Sequence, residues 1–396
     1  MGRSEALNGC VWGLLAVTAD GDTLVNINGG TRMLPASNMK LITTGAALCR
    51  LGPDFSFRTG LFHSGELKDS TLVGDLYITG GGDPSLCDRY LCTGDSLETF
   101  RQWREKLAGY GIRSIEGRII GDARYFNGEN YLDDWSVEDF YPDYSSAAYG
   151  LNISGNLICA RNDSRTILPL IPSPPLHCAS QFTEYLRSTG VPVSGEASCE
   201  PELPADSLSL IAETRSVSLS KLIEVTNRES ENVYAEAIFR QLGKEIYGTA
   251  VYDTAGLALC SVLRSMGLGT ALKSVTIVDG SGLSRKNYVT PEFIVSFLRE
   301  MSGRKEFPSY LNSLPRAGSG TLRRRLASQP EEIRSRVRMK SGSMTGVRCF
   351  SGYILPSDGD SGKMIAFSLM TNNALPGNLA LPLLLDDMIG RLAAEN

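Results

Sequence analysis

Histidine is scarce in this chain of 396 residues, which contains only His63 and His177. Hydrolases of the Ser/His/Asp type and many zinc sites use histidine, so both classes are disfavoured. The nine cysteines show no spacing typical of zinc ligands. We therefore expect no metal and no cofactor, and lysine becomes the candidate base for a catalytic serine.

Long apolar runs and long clusters of positive charge are also missing. Without a run of about eighteen apolar residues, no transmembrane helix is predicted. A net charge of -5 and a pI near 5.4 argue against a nucleic-acid partner, because phosphate binding needs a basic surface. The short basic stretch LRRRL at 322–326 is interpreted as a solvent-exposed helix face.

The sequence marks its cellular compartment only weakly. It begins MGRSEALNGC, without the basic leader and apolar run of a secretory signal, and we expect that such a signal was trimmed. Cys87 and Cys92 can pair in an oxidising compartment, and a buried free thiol is the equal alternative for most of the cysteines.

Strand patterns lie at both ends of the chain. The segment CVWGLLAVTADGDTLVNING predicts a β-hairpin, and RVRMKSG, GVRCFSGYIL and KMIAFSLMTN predict three further strands. A helix is predicted from about residue 376 to 394. This order predicts an α+β fold, in which one antiparallel sheet is assembled from distant parts of the chain and covered by helices.

The pattern of predicted strands and helices in the middle of the chain differs from that at both ends. Short strand patterns alternate there with helical runs and with the Pro/Ser-rich stretch LPLIPSPPLHCAS. The chain is long enough for two domains. We predict a discontinuous catalytic domain from residues 1–70 and 205–396, and an inserted domain from residues 71–204.

Ser37 and Lys40 form an S-x-x-K pattern in LPASNMKLITTGAAL, ahead of a predicted helix. Serine is also a favoured helix N-cap, so a capping role is the simpler alternative. The pattern is common, and Ser218 and Ser302 begin two further copies in this chain. Order and context must decide among the three.

Two other short patterns, S-x-N and K-S-G, favour the first copy. K-S-G occurs at 340–342, and S-x-N occurs at 154–156 and at 230–232. Ser302 has no S-x-N after it, and Ser218 stands only twelve residues before Ser230, the start of the second S-x-N. The 230–232 copy is predicted to lie in a tight loop between two amphipathic helices, whereas 154–156 is predicted to be a turn.

These residue types suit an acyl-transfer site. Lys40, one helical turn after Ser37, can take the serine proton when it is neutral, and burial lowers a lysine pKa. Ser230 can relay a proton to a leaving amine, and Asn232 can orient both the substrate and Lys40.

Lys340 and Ser341 complete the predicted site. Their ammonium and hydroxyl groups can bind a substrate carboxylate. A second lysine close in space also helps to lower the pKa of Lys40, because like charges disfavour each other.

The motifs SNMK, SEN and KSG resemble those of the serine penicillin-recognising enzymes. The segments VDGSGLSRKNYVTP, AGSGTLRRRL and KSGSMTGVRCFSGYI narrow the resemblance to the class C low-molecular-mass penicillin-binding proteins, the D-alanyl-D-alanine carboxypeptidase/endopeptidase family. The resemblance implies a transpeptidase/β-lactamase-like domain with a large insert. It also implies a serine hydrolase that acts on peptidoglycan stem peptides and cross-links and is acylated by β-lactams at Ser37.

Two departures from the family pattern occur. Ser341 stands where threonine is usual, which keeps the hydroxyl group. After Asn156 the chain passes quickly to a helix, so the nested third domain of many members is expected to be largely missing.

Further site residues are implied by the family pattern alone. The backbone N–H groups of Ser37 and Ser343, beside Gly342, would form an oxyanion hole. Asp139 would hold the ammonium group of a diaminopimelate side chain, and a solvated loop carboxylate is the alternative. Arg285 would line the cleft or, alternatively, cap the following turn.

Two other functions remain open at this point. The second candidate is a β-lactamase or esterase of the same superfamily, although no motif identifies the carboxylate with which a β-lactamase would activate water. A non-catalytic peptidoglycan-binding protein is the alternative from another class. The family implies a periplasmic or cell-envelope location, with peptidoglycan peptides and β-lactam antibiotics as ligands.

Overall fold

A computed structural model describes residues 5–91, 97–136, 147–158, 160–162, 165–167, 170–202, 207–357, 363–375 and 377–395. Within these ranges, the strands in chain order are β1 (Val11–Thr18), β2 (Thr23–Ile27), β3 (Arg58–His63), β4 (Glu66–Lys68), β5 (Thr71–Val73), β6 (Leu76–Gly80), β7 (Ser114–Glu116), β8 (Ile119–Asp122), β9 (Ala160–Asn162), β10 (Arg165–Ile167), β11 (Ser209–Arg215), β12 (Val337–Met344), β13 (Val347–Ile354) and β14 (Ile365–Asn372). The helices are α1 (Met39–Leu51), α2 (Glu98–Tyr110), α3 (Pro174–Ser188), α4 (Leu219–Arg228), α5 (Asn232–Tyr247), α6 (Tyr252–Ser265), α7 (Pro291–Ser302), α8 (Phe307–Ser313), α9 (Glu331–Arg336) and α10 (Ala380–Ala394).

A five-stranded sheet joins the two ends of the chain. Its spatial order is β12-β13-β14-β1-β2, and all neighbours are antiparallel. The hairpin β1–β2 and the strands β12, β13 and β14 are those predicted from sequence, and α10 follows them. Because β12 lies at the edge of the sheet, the K-S-G segment on this strand has a neighbouring strand on one side only.

Helices cover both faces of this sheet. On one face, α10 buries Leu385 and Ile389 against Phe367 of β14. On the other face, the side chains of α1 pack between the sheet and the helices α4 to α7, and all residues from Met39 to Leu48 are buried. Helix α1 is thus the centre of the main core, and the turn before it is held rigidly.

Strands from the middle of the chain form a separate sheet in the order β11-β3-β6-β8. Its own core contains Ile78, Phe100 and Phe182, which join this sheet to α2 and α3. Strands β3 and β11 lie just outside the predicted boundaries at residues 71 and 204, yet they pair in this sheet. The division into domains stays a prediction.

Arg240 links the middle of the chain to helix α5. Its side chain is completely buried and donates hydrogen bonds to the carbonyl groups of Asn127, Ala148 and Ala250 and to the side chain of Asn130, at 2.6 to 3.0 Å. One buried guanidinium therefore satisfies the polar backbone of segments from both sides of the predicted boundary.

No single helix among the described residues is long and apolar enough to cross a membrane. Within the described part of the chain, α5 and α6 together reach that length and composition, but they are bent by 78° at the break between them.

We expect Arg240→Met to lower the free energy of unfolding by at least about 3 kcal/mol, because buried carbonyl groups that lose their donors each cost about 1–3 kcal/mol. Urea denaturation followed by circular dichroism measures this change. Arg264→Met, at an exposed position on α6, is the matched control and should leave the midpoint almost unchanged. Equal midpoints for the two variants would contradict the structural role of Arg240.

Candidate active site

Ser37 lies in a single 3-10 turn, Ala36–Asn38, immediately before α1. Asn38 occupies the N-cap position of α1, so Ser37 is not the helix cap that the alternative interpretation required. The Asn38 side chain donates to Ser351 Oγ at 2.7 Å, which ties the turn to β13. The Ser37 hydroxyl is therefore left to face a cavity.

Lys40 is completely buried below Ser37. Its Nζ atom lies 2.9 Å from Ser37 Oγ, 2.6 Å from Asn232 Oδ1 and 3.0 Å from the carbonyl oxygen of Ser281. The three oxygen atoms come from three distant parts of the chain. The predicted pairing of Ser37 with Lys40 and Asn232 is thus present at hydrogen-bond distance.

The loop that supplies the Ser281 carbonyl is held by two buried carboxylates. Glu236 of α5 accepts from the backbone N–H groups of Gly280 and Ser281, at 3.2 and 2.7 Å. Asp279 accepts from the Gly282 N–H at 2.8 Å. Gly282 approaches so closely that a Cβ atom there would lie 1.9 Å from the Ala36 carbonyl oxygen, so only glycine fits beside the Ser37 turn.

Sequence reasoning missed Glu236 and Asp279 as site residues. Asp279 belongs to the quoted segment VDGSGLSRKNYVTP, and Glu236 stands on the buried face of α5, four residues after Asn232. A buried carboxylate one turn from a predicted active-site residue is the signal that could have found Glu236.

Ser230 and Asn232 lie where α4 gives way to α5, as the sequence predicts. Ser230 has a φ of 66°, in the left-handed region that serine adopts only at a cost. The neighbouring Glu231 accepts hydrogen bonds from Tyr90 Oη at 2.6 Å and from Arg89 Nη2 at 3.2 Å. These contacts fasten the strained turn to the segment before α2.

Lys340 reaches Ser230 from the edge strand β12. Its Nζ atom donates to Ser230 Oγ at 2.9 Å and to the Ser341 carbonyl oxygen at 2.8 Å. The Ser341 hydroxyl lies 2.9 Å from the hydroxyl of Thr321, a residue that sequence reasoning did not single out. The S-x-N and K-S-G motifs are therefore in direct contact.

Gly342 permits the close packing of β12 against the Ser37 turn. A Cβ atom at this position would lie 2.7 Å from the Pro35 carbonyl oxygen and 3.1 Å from the Asn38 nitrogen. Both distances are shorter than an ordinary contact, so a side chain here would push the strand away from Ser37.

A cavity of about 1000 Å³ unites these residues. Its lining includes the predicted site residues Ser37, Ser230, Asn232, Ser341, Gly342 and Ser343. Among the residues that the structure describes, no group of three or more His, Cys, Asp or Glu side chains is placed to hold a metal ion. The lining offers hydroxyl and amide groups together with charged side chains, among them Glu231 and Arg325.

Burial dominates the electrostatics of the two lysines. It lowers the pKa of Lys40 to about 8, although the carboxylates of Glu236, Asp279 and Glu231 raise it. Burial also lowers the pKa of Lys340 well below its ordinary value, and the charge of Lys40 lowers it further. A neutral lysine beside Ser37 is therefore accessible near neutral pH.

The two other S-x-x-K copies have structural roles. Ser218 is the N-cap residue of α4, and its hydroxyl pairs with that of Ser220 at 2.8 Å. The Ser302 hydroxyl donates to the carbonyl oxygen of Arg299 at 2.7 Å. Neither serine lines the cavity. The other S-x-N copy, Ser154–Asn156, forms a short 3-10 turn, as predicted.

Arg285 is exposed at the rim of the site, where its Nη2 atom donates to the carbonyl oxygen of Thr345 at 3.3 Å. Thr345 lines the cavity and Arg285 does not. Asp139 and Cys92 lie outside the described residues, so the role of Asp139 and a Cys87–Cys92 disulfide stay predictions.

This fold and this set of motifs define a serine penicillin-recognising enzyme. A family profile described as the D-Ala-D-Ala carboxypeptidase 3 (S13) family matches residues 2–166 and 151–394. The chain therefore belongs to this family, and the predicted resemblance and the class of serine hydrolase are confirmed.

Individual proteins agree with this membership. A D-alanyl-D-alanine carboxypeptidase of Actinomadura sp. is 29% identical over an alignment of 466 positions, gaps included, which covers 99% of this chain and 83% of the relative. The crystal structure of penicillin binding protein 4 (dacB) from Haemophilus influenzae superimposes with a TM-score of 0.83 at 23% identity, covering 100% of this chain and 99% of the other.

A more distant structure has the same fold. It is a predatory endopeptidase from Bdellovibrio bacteriovorus, solved in a form acylated by penicillin G, with a TM-score of 0.58 at 15% identity and coverage of 98% and 93%. Together these likenesses confirm the predicted α+β fold.

We expect Gly342→Ala to slow acylation by a fluorescent penicillin at least tenfold. A methyl group there would displace β12 from Ser37, and a shift of about 1 Å between reacting groups can slow a reaction about a hundredfold. The rate of labelling on a denaturing gel measures this. Gly109→Ala is the control, since nothing lies within 4 Å of a Cβ atom at that position. Labelling of Gly342→Ala at the wild-type rate would show that the close approach is not needed.

Proposed function

We propose that this protein is a serine D-alanyl-D-alanine carboxypeptidase/endopeptidase that acts on peptidoglycan stem peptides and cross-links. The observation that carries the proposal is the convergence of three motifs at hydrogen-bond distance around one cavity. Lys40 contacts both Ser37 and Asn232, and Lys340 contacts Ser230. The names of the relatives support the same activity.

In the proposed first step, Ser37 Oγ attacks the carbonyl carbon of the penultimate D-alanine. Neutral Lys40 takes the hydroxyl proton, and the oxyanion accepts hydrogen bonds from the backbone N–H groups of Ser37 and Ser343. Ser230 gives its hydroxyl proton to the leaving nitrogen and regains a proton from the Lys40 ammonium, so Lys40 is neutral again when the ester has formed at Ser37 and the amide bond has broken. The released product is D-alanine or, from a cross-link, the second stem peptide with a free amino group.

In the proposed second step, water attacks the carbonyl carbon of the ester and one of its protons goes to the leaving Ser37 oxygen. The shortened stem peptide is released with a carboxylic acid at its end. A β-lactam reacts in the same first step, because its strained amide is opened by Ser37. The leaving amine stays attached to the acyl group and obstructs water, so the adduct is long-lived. A β-lactamase would instead clear the same adduct rapidly.

The K-S-G segment is proposed to bind the free carboxylate of the substrate through Lys340 and Ser341. Arg285 and Asp139 are proposed to contact the stem-peptide side chain, with Asp139 pairing with the amine of diaminopimelate or lysine. The periplasm or cell envelope is the proposed location, because the proposed substrate lies there.

Acylation should map to Ser37. After incubation with benzylpenicillin, intact-mass spectrometry should show one stable adduct, and peptide mapping should place it on Ser37. Ser37→Ala should acquire none, whereas the matched variants Ser218→Ala and Ser302→Ala should acquire the wild-type amount. An adduct on Ser218 or Ser302, or rapid turnover of nitrocefin, would contradict the proposed function.

The pH dependence of acylation should report Lys40. Since the neutral form is the base and its pKa is about 8, the first-order acylation rate at saturating β-lactam should rise about tenfold per pH unit below about 8 and level off above it. Stopped-flow measurements give this profile. A flat wild-type profile from about pH 5 to 9 would exclude Lys40 as the base.

A further inference from the structure

The basic stretch LRRRL at 322–326 is not the solvent-exposed helix face expected from sequence. A 3-10 turn ends at Leu322, and irregular turns follow it. Arg323 and Arg324 are exposed, but the side chain of Arg325 is only 20% exposed and lines the catalytic cavity. One of three consecutive arginines therefore reaches the site.

Arg325 is held in place by the helix and the sheet beneath it. Its Nη2 atom lies 3.3 Å from Asp386 Oδ2 on α10, and its Cζ atom lies 5.9 Å from the ring centre of Phe350. Asp386 also accepts the backbone N–H of Leu326 at 3.0 Å, which fixes the chain next to Arg325. A guanidinium has five N–H donors, so this ion pair leaves donors for a ligand.

The position of Arg325 is close to the K-S-G hydroxyl. Phe350 pairs directly with Ser341 in the register of β13 and β12, so both side chains project from the same face of the sheet. The hydroxyl of Thr321, four residues before Arg325, lies 2.9 Å from the Ser341 hydroxyl. Arg325, Thr321 and Ser341 thus line the same cavity.

Arg325 adds a second cationic group to the carboxylate site proposed for Lys340 and Ser341. Lys340 is buried, and its ammonium group already donates hydrogen bonds to Ser230 and to the Ser341 carbonyl oxygen. Burial also lowers the pKa of Lys340. An arginine keeps its charge at every accessible pH, and its planar fork matches a carboxylate.

We propose that Arg325, with the hydroxyl groups of Thr321 and Ser341, binds the free carboxylate of the leaving D-amino acid. This inference rests on the proposed function and assigns a substrate-binding residue beyond the three motifs. The ligand class is an acylated D-amino acid with a free carboxylate. A β-lactam presents its ring carboxylate to the same groups, and a neutral ester cannot use them.

The test compares benzylpenicillin with its methyl ester, measured as the second-order rate of acylation by intact-mass spectrometry. Arg325→Gln should slow acylation by the acid at least tenfold and leave acylation by the ester within twofold, so the preference for the acid collapses. Arg325→Lys, which keeps a charge without the fork, should lose less on the acid and nothing on the ester.

Arg324→Gln, at the exposed neighbouring position, is the matched control and should behave as wild type with both compounds. Should Arg325→Gln fail to fold by circular dichroism, Arg325→Lys provides the same comparison. Equal losses on acid and ester, or no loss on either, would overturn the role of Arg325 while wild-type acylation upholds the proposed function. If the wild-type protein is not acylated by benzylpenicillin at all, the proposed function and this inference both fall.

Discussion

The buried ammonium group of Lys40 is the constraint on which the arrangement of the site depends. A buried charge without hydrogen-bond partners would cost several kcal/mol, so its donors must find acceptors. Here those acceptors are Ser37 Oγ, Asn232 Oδ1 and the Ser281 carbonyl, from three segments far apart in sequence. The hydrogen bonds of the Lys40 ammonium group therefore hold the three segments together. The same hydrogen bonds place the base, Lys40, beside the nucleophile, Ser37.

The two buried carboxylates near Lys40 act through the backbone. Glu236 and Asp279 accept hydrogen bonds from the backbone N–H groups of residues 280, 281, 282 and 284. In the same loop, the carbonyl oxygen of Ser281 accepts a hydrogen bond from Lys40. Their charges raise the pKa of Lys40 against the effect of burial. The result is a pKa between that of an exposed lysine and that of an isolated buried lysine, which suits a base that must also be reprotonated.

The sequence predicts the parts of this structure that local patterns encode. The hairpin, the three C-terminal strands and the loop between α4 and α5 follow from alternation and turn residues, and the order of the motifs excludes the Ser218 and Ser302 copies. The sequence alone could not distinguish Arg325, which points into the cavity, from its exposed neighbours Arg323 and Arg324. The position of Arg325 depends on an ion pair with Asp386, a residue far along the chain. Pairing of β3 with β11 across the middle of the chain is likewise a long-range choice that no local pattern specifies.

The middle of the chain takes part in the site rather than standing beside it. Ser230 holds a left-handed conformation that costs an L-residue of this kind about 1–3 kcal/mol, and such strain persists only where the surroundings impose it. Glu231 supplies that restraint, since Tyr90 and Arg89 bind its carboxylate from the other side of the cavity. Loosening the segment around Tyr90 would therefore release the turn that presents Ser230 to Lys340, which couples the packing of the middle segment to the geometry of the catalytic motifs.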